Sequence, residues 1–137
     1  MSFRAELIIE EKTYRVLYCS HTLSVDTDVT GRPCSAPRFG RIDLEIESTD
    51  DMFFWAKVGL GYGEPISGKI VFKKRDEEVK LKELLFEEAH VVEHTEHFYA
   101  AGESPMTIQF ALSAGTLIME TSAGETGIIN NDWIGRT

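Results

Sequence analysis

Cysteine is scarce in this chain, with only Cys19 and Cys34 among 137 residues. Two thiols make no disulfide framework, and a domain of this length buries roughly 68% of its unfolded surface without one. Both are expected as reduced thiols. Long apolar runs are missing too, since no stretch approaches the roughly 18 residues of a membrane-spanning helix. The opening MSFRAELIIEEK breaks into charge too soon for the apolar centre of a cleaved signal peptide. We therefore expect synthesis in the cytoplasm, no membrane insertion, and any export by a route without such a signal. Basic residues are outnumbered 14 to 23, for a formal charge of −9. A phosphate backbone would be repelled, so nucleic acid is not an expected partner. Lys73, Lys74 and Arg75 run straight into Asp76, Glu77 and Glu78, which reads as a solvated hairpin end.

Catalytic signatures are lacking as well. No serine sits in a GxSxG elbow, and neither cysteine has a nucleophile's local pattern. His90, His94 and His97 lie close in sequence but not in HExxH order. On a helix they would share a face and could hold zinc. On a strand His90 and His94 share a face roughly 13 Å apart, while His97 points the other way. Asp43, Glu45 and Glu47 form an acidic stripe with no calcium loop nearby, so it reads as a solvated face. We assign no catalytic, cofactor-binding or metal residue and expect no enzyme.

What is present is strand pattern. In RIDLEIES, Ile42, Leu44 and Ile46 alternate with Asp43, Glu45 and Glu47, which makes a one-sided strand. Ser48 and Asp51 then read as a capping box opening a short helix near residues 50–59, carrying Phe53, Phe54 and Trp55. Gly59, Gly61, Gly63 and Pro65 stop it; GLGYG follows a helix and lacks a lysine, so it is no phosphate loop. Residues 3–9 and 13–23 form two strands joined at Glu10-Glu11-Lys12. In the second, Tyr14, Val16 and Tyr18 share one face, with Leu17 and Cys19 on the other. Residues 68–74, 107–114 and 116–120 add three more strands. Residues 24–40 form a long loop with two prolines and two glycines. Residues 79–98 are ambiguous, and periodicity alone leans towards a helix. Beyond Thr121, Ile128, Ile129, Trp133 and Ile134 are too apolar for a free tail, which should dock on its own domain or a neighbour.

The chain is expected to be mainly β: one antiparallel barrel over residues 1–137, of about six to nine strands, with one flanking helix. MSFRAEL, KTYRVLYCS, DVTGRP, IESTDD, SGKIVFKKRD, LKELLFEEAHVVEHTEHF and AGESPMTIQFALSA occur in order along it. Together they resemble the Hcp (hemolysin-coregulated protein) tube subunit of type VI secretion systems, in its Bacteroidetes form. Two departures are Gly115, where an arginine is usual, and the tail from Glu120.

The resemblance implies that residues 80–98 are extended, against their periodicity. It also implies that six copies close a ring, and that rings stack into a hollow tube ejected from the cell or into a target cell. Partners would be further copies of itself, sheath and spike components, and effectors travelling in the lumen. The long loop would contact neighbours through Thr30, Gly31, Arg32, Pro33, Arg38 and Arg41. Each copy brings −9, so Arg32, Arg38, Arg41 and Lys69 are candidates to pair with a neighbour's carboxylates. The alternatives are a phage tail tube protein and a monomeric ligand-binding barrel lined by Trp55, Tyr18 and Phe72.

Overall fold

The computed structural model describes residues 3–48, 65–74, 79–101 and 106–130, and among these every regular element is a strand. The helix expected near residues 50–59, with Phe53, Phe54 and Trp55, lies outside them, as do Trp133 and Ile134. The strands are β1 (Phe3–Ile9), β2 (Lys12–Ser20), β3 (Leu23–Ser24), β4 (Arg38–Phe39) and β5 (Arg41–Glu47). They continue as β6 (Ile66–Lys74), β7 (Lys80–Phe98), β8 (Met106–Ser113), β9 (Thr116–Thr121) and β10 (Thr126–Asn130).

β7, β6, β1, β2, β5 and β8 pair antiparallel in that order, and β8 returns to β7. Six strands therefore close a barrel, which leaves none of these six as a bare edge. β7 makes the closure possible because it is 19 residues long and uses two partners in turn. Residues 82–87 pair with β9, and residues 90–98 pair with β8. The change falls at Glu88, whose φ of 51° marks a bulge against β6. Gly115 N donates there to the carbonyls of Glu87 and Glu88, at 3.1 and 3.2 Å.

The alternation of RIDLEIES is realised as expected, with Ile42, Leu44 and Ile46 buried. They meet Leu7 and Ile9 of β1, Ile70 of β6, Leu84 and Phe86 of β7, and Ile108, Phe110 and Leu112 of β8. Burying each such side chain contributes about 1.5–3 kcal/mol against an exposed one. Phe72, partly buried, packs against the same cluster.

Two expectations about facing are corrected, both by bulges. In β2 an extra residue between Val16 and Tyr18 shifts the phase. Val16 and Cys19 consequently pack on the core, while Tyr18 turns outward and is 58% exposed. In β7 an extra residue between Val91 and Glu93 does the same. His94 stands opposite inward-facing Phe110, whereas His90 and His97 stand opposite outward-facing Ser113 and Thr107. His90 and His94 thus lie on opposite faces, not on one.

Up to Asn130 the tail docks on its own domain, as a strand that the sequence pattern left unassigned. β10 pairs with β9, and Ile129 packs against the core. β1 and β2 are joined by a two-residue turn in which Glu10 and Glu11 both take positive φ, 48° and 67°. That matches the type I′ hairpin turn, usually built from Asn and Gly.

Candidate assembly surface

Residues 24–40 are not loose. β3 pairs with β4 at their base, and Thr27 bridges to Pro33 further out. The segment is an arm: a narrow hairpin in which every residue from 22 to 38 is exposed. Its tip is organised by Asp28. Asp28 Oδ1 accepts from Thr30 N at 2.9 Å, Thr30 Oγ1 at 2.7 Å and Arg32 N at 3.1 Å. Asp28 N donates to Arg32 O at 2.9 Å, and Gly31 N to Asp28 O at 3.0 Å. The bond from the Thr30 hydroxyl, followed by those from the Arg32 and Thr30 amides, holds the Asp28 carboxyl below its usual range. Gly31 takes a φ of +87°, which a side chain would resist.

Further down the arm, Asp26 N donates to Ser35 Oγ at 2.9 Å, Cys34 N to Asp26 O at 2.8 Å, and Arg38 pairs with Asp26. Val29 projects from the tip wholly exposed, at 104%. The arm is thus shaped by hydrogen bonds of its own and carries an apolar side chain at its end.

The six interface residues expected from the sequence do not act alike. Thr30, Gly31, Arg32 and Pro33 are together at the tip. Arg38 sits at the base, committed to Asp26. Arg41 leaves the arm and begins β5, where it pairs with Glu93 at 2.6 Å and Asp43 at 3.3 Å. The hydrogen bond to Glu93 raises the Arg41 pKa further above its ordinary value. Lys69 is engaged with Glu83 at 3.6 Å. Of the four cations expected to reach a neighbour, only the Arg32 guanidinium has no partner among the described residues. The sequence reading passes over Asp28 and Val29. The signal for Asp28 was present in DVTG, since Asp followed by Thr and Gly is a turn in which the carboxylate binds amides two and more residues on.

The acidic stripe of β5 lies outward and is bonded within the chain. Arg15 pairs with Glu47 at 2.6 Å, and Gln109 Nε2 donates to Glu45 at 2.6 Å. Beside it, a half-open cleft of about 380 Å³ is lined by Tyr18, Arg41, Asp43, Glu45, Glu93, Thr95 and Gln109. Its charged groups are engaged with one another, Arg41 with Glu93 and Asp43, and Glu45 with the Gln109 amide. Among the described residues no three His, Cys, Asp or Glu side chains are grouped to hold a metal ion. Both cysteines are free thiols. Burial, then the Asp43 charge, pushes the Cys19 thiol up to about 11, so it is protonated near neutrality.

The model of the hemolysin coregulated protein Hcp (TssD) family matches residues 1–133. The chain belongs to the Hcp (TssD) family. It is also 35% identical to Hcp1 from Flavobacterium johnsoniae, over 93% of this chain and 99% of that one, with a TM-score of 0.81. Hcp1 from Salmonella typhimurium shares the fold at 15% identity, covering 93% of each chain with a TM-score of 0.73. A type VI secretion system effector from Yersinia pestis shares it at 8% identity, covering 93% of this chain and 99% of that one, with a TM-score of 0.68. No curated protein sequence matches the chain. The family match extends to residue 133, past Glu120, from which the motifs match less firmly. Residues 80–98, extended as the resemblance required, are β7.

Membership makes the chain a tube subunit of a type VI secretion system, a secreted and structural protein. Among the described residues no helix is long and apolar enough to cross a membrane. The phage tail tube and ligand-barrel readings are not favoured. Against the ligand barrel stand Tyr18, which points outward, and Phe72, which packs against the core cluster.

Proposed function

We propose that this chain, as one Hcp-like domain over residues 1–137, closes rings of six that stack into a hollow tube, with the arm at residues 24–40 as a subunit contact. The contact uses Thr30, Gly31, Arg32 and Pro33 directly, while Arg38 stiffens the base and Arg41 anchors β5. The role is structural rather than catalytic. The tube is exported without a cleaved N-terminal signal, to the exterior or into a target cell, alongside sheath and spike components, with effectors in its lumen.

The observation that carries this reading is the arm. Seventeen consecutive residues, 22 to 38, stand exposed around a tip whose hydrogen bonds are internal. A tip already ordered by its own hydrogen bonds loses little conformational freedom on docking, which favours its use as a contact. Removing residues 30–33 is expected to leave a folded chain that no longer forms annular particles under negative-stain microscopy. Rings that persist after the deletion would take the arm out of the assembly.

A further inference from the structure

The outward face of β1, β6, β7, β9 and β10 carries a continuous row. Ile8 stands opposite Lys69, Lys69 opposite Leu85, Leu85 opposite Ile118, and Ile118 opposite Ile128. Ile8, Leu85 and Ile118 are half-buried, and Ile128 is 60% exposed at the sheet edge. Lys69 is drawn aside to Glu83 at 3.6 Å. At the β1 end the row opens into a shallow cleft of about 330 Å³, lined by Ile8, Glu10, Ser67, Lys69, Leu85 and Glu87. Glu10 and Glu87 are exposed on it, and neither carboxylate has a cationic partner among the described residues. Ile8 and Leu85 supply its apolar part, Lys69 is held by Glu83, and Glu10 and Glu87 are the carboxylates left without a cation among the described residues.

The arm's tip has the complementary make-up: Val29 wholly exposed and the Arg32 guanidinium without a partner among the described residues. The two features belong to opposite ends of β2. Glu10 lies two positions before its first residue, and the arm follows its last, a strand of nine residues or roughly 30 Å. No arm residue lines the cleft of its own chain. Two different, complementary patches at opposite ends of a strand suit head-to-tail contact between copies, which closes rings or builds columns.

We infer that the arm tip of one copy seats in this cleft of the next, with Val29 against Ile8 and Leu85 and the Arg32 guanidinium between Glu10 and Glu87. The inference rests on the proposed self-assembly and names the surface that receives the arm. Seating covers the exposed apolar tip and neutralises two carboxylates in a chain already at −9.

The test uses the full chain with exposed Cys34 replaced by serine and the pair Val29→Cys and Ser67→Cys introduced, both at exposed positions. Mild oxidation of assembled protein is expected to give a covalent ladder in denaturing electrophoresis. A ladder ending at six places the contact within a ring; one running past six places it between rings. Separately, Arg32→Glu should raise the concentration needed for assembly about tenfold, and adding Glu87→Arg should recover most of that loss. Rings that form without cross-links, and with Arg32→Glu indifferent, would overturn the inference while leaving self-assembly standing. A chain that stays monomeric at every concentration would overturn both.

Discussion

Glu83 shows how single residues on the outer face are held. Its carboxylate takes Lys80 at 2.6 Å and Lys69 at 3.6 Å, across from outward-facing yet buried Val71. The hydrogen bond from Lys80 lowers its pKa below the ordinary glutamate value, even though burial pulls the other way. A carboxyl with a depressed folded value stabilises fully above its unfolded pKa and loses that contribution as pH falls through the folded one. Glu83→Gln should therefore flatten the decline of the urea midpoint between about pH 5 and about pH 3. An equally steep decline in the variant would remove Glu83 from the acid response. None of this was legible beforehand, because one lysine comes from another strand and the other reaches Glu83 only through the bulged start of β7.

Among the elements, β7 was the hardest to read and β5 the easiest. β5 alternates cleanly because only one of its faces is buried. β7 carries bulges near Leu81, Glu88 and Val92, each of which flips the facing of the residues beyond it. Those shifts broke the alternation enough to imitate a helical stripe. β6, paired to it, contains Gly68 for a steric reason. A Cβ there would lie 2.6 Å from Ile8 O, 2.8 Å from Ile9 Cγ1 and 3.0 Å from Phe86 Cζ. Gly68→Ala is expected to cost about 1–3 kcal/mol in denaturant unfolding with an unchanged slope. Gly127 in β10 is the control, since a Cβ there meets nothing within 4 Å and its alanine variant should stay within about 1 kcal/mol of the parent. Equal effects at the two sites would contradict the close approach at Gly68.

For the molecule in its entirety, charge and assembly oppose each other. Each copy carries −9, and Arg38, Arg41 and Lys69 are already paired within the chain. Repulsion between copies is screened by salt, with a Debye length of roughly 30 Å at 0.01 M and roughly 10 Å at 0.1 M. Ring occupancy measured by light scattering should therefore fall as salt is lowered through that range. An occupancy indifferent to ionic strength would show that net charge does not set the assembly equilibrium.

Residue pattern alone was enough to settle the class of the molecule. One-sided alternation at Ile42, Leu44 and Ile46, the acidic outer stripe and the turn residues of DVTG act locally, so each can be read where it stands. Phase and partnership came instead from the folded arrangement of the strands. A single inserted residue in β2 or β7 exchanges inside for outside, and this sends Tyr18 outward and parts His90 from His94. The arm's separation from its own cleft arises likewise from how β2 runs between them, a long-range relation that no neighbouring residues encode.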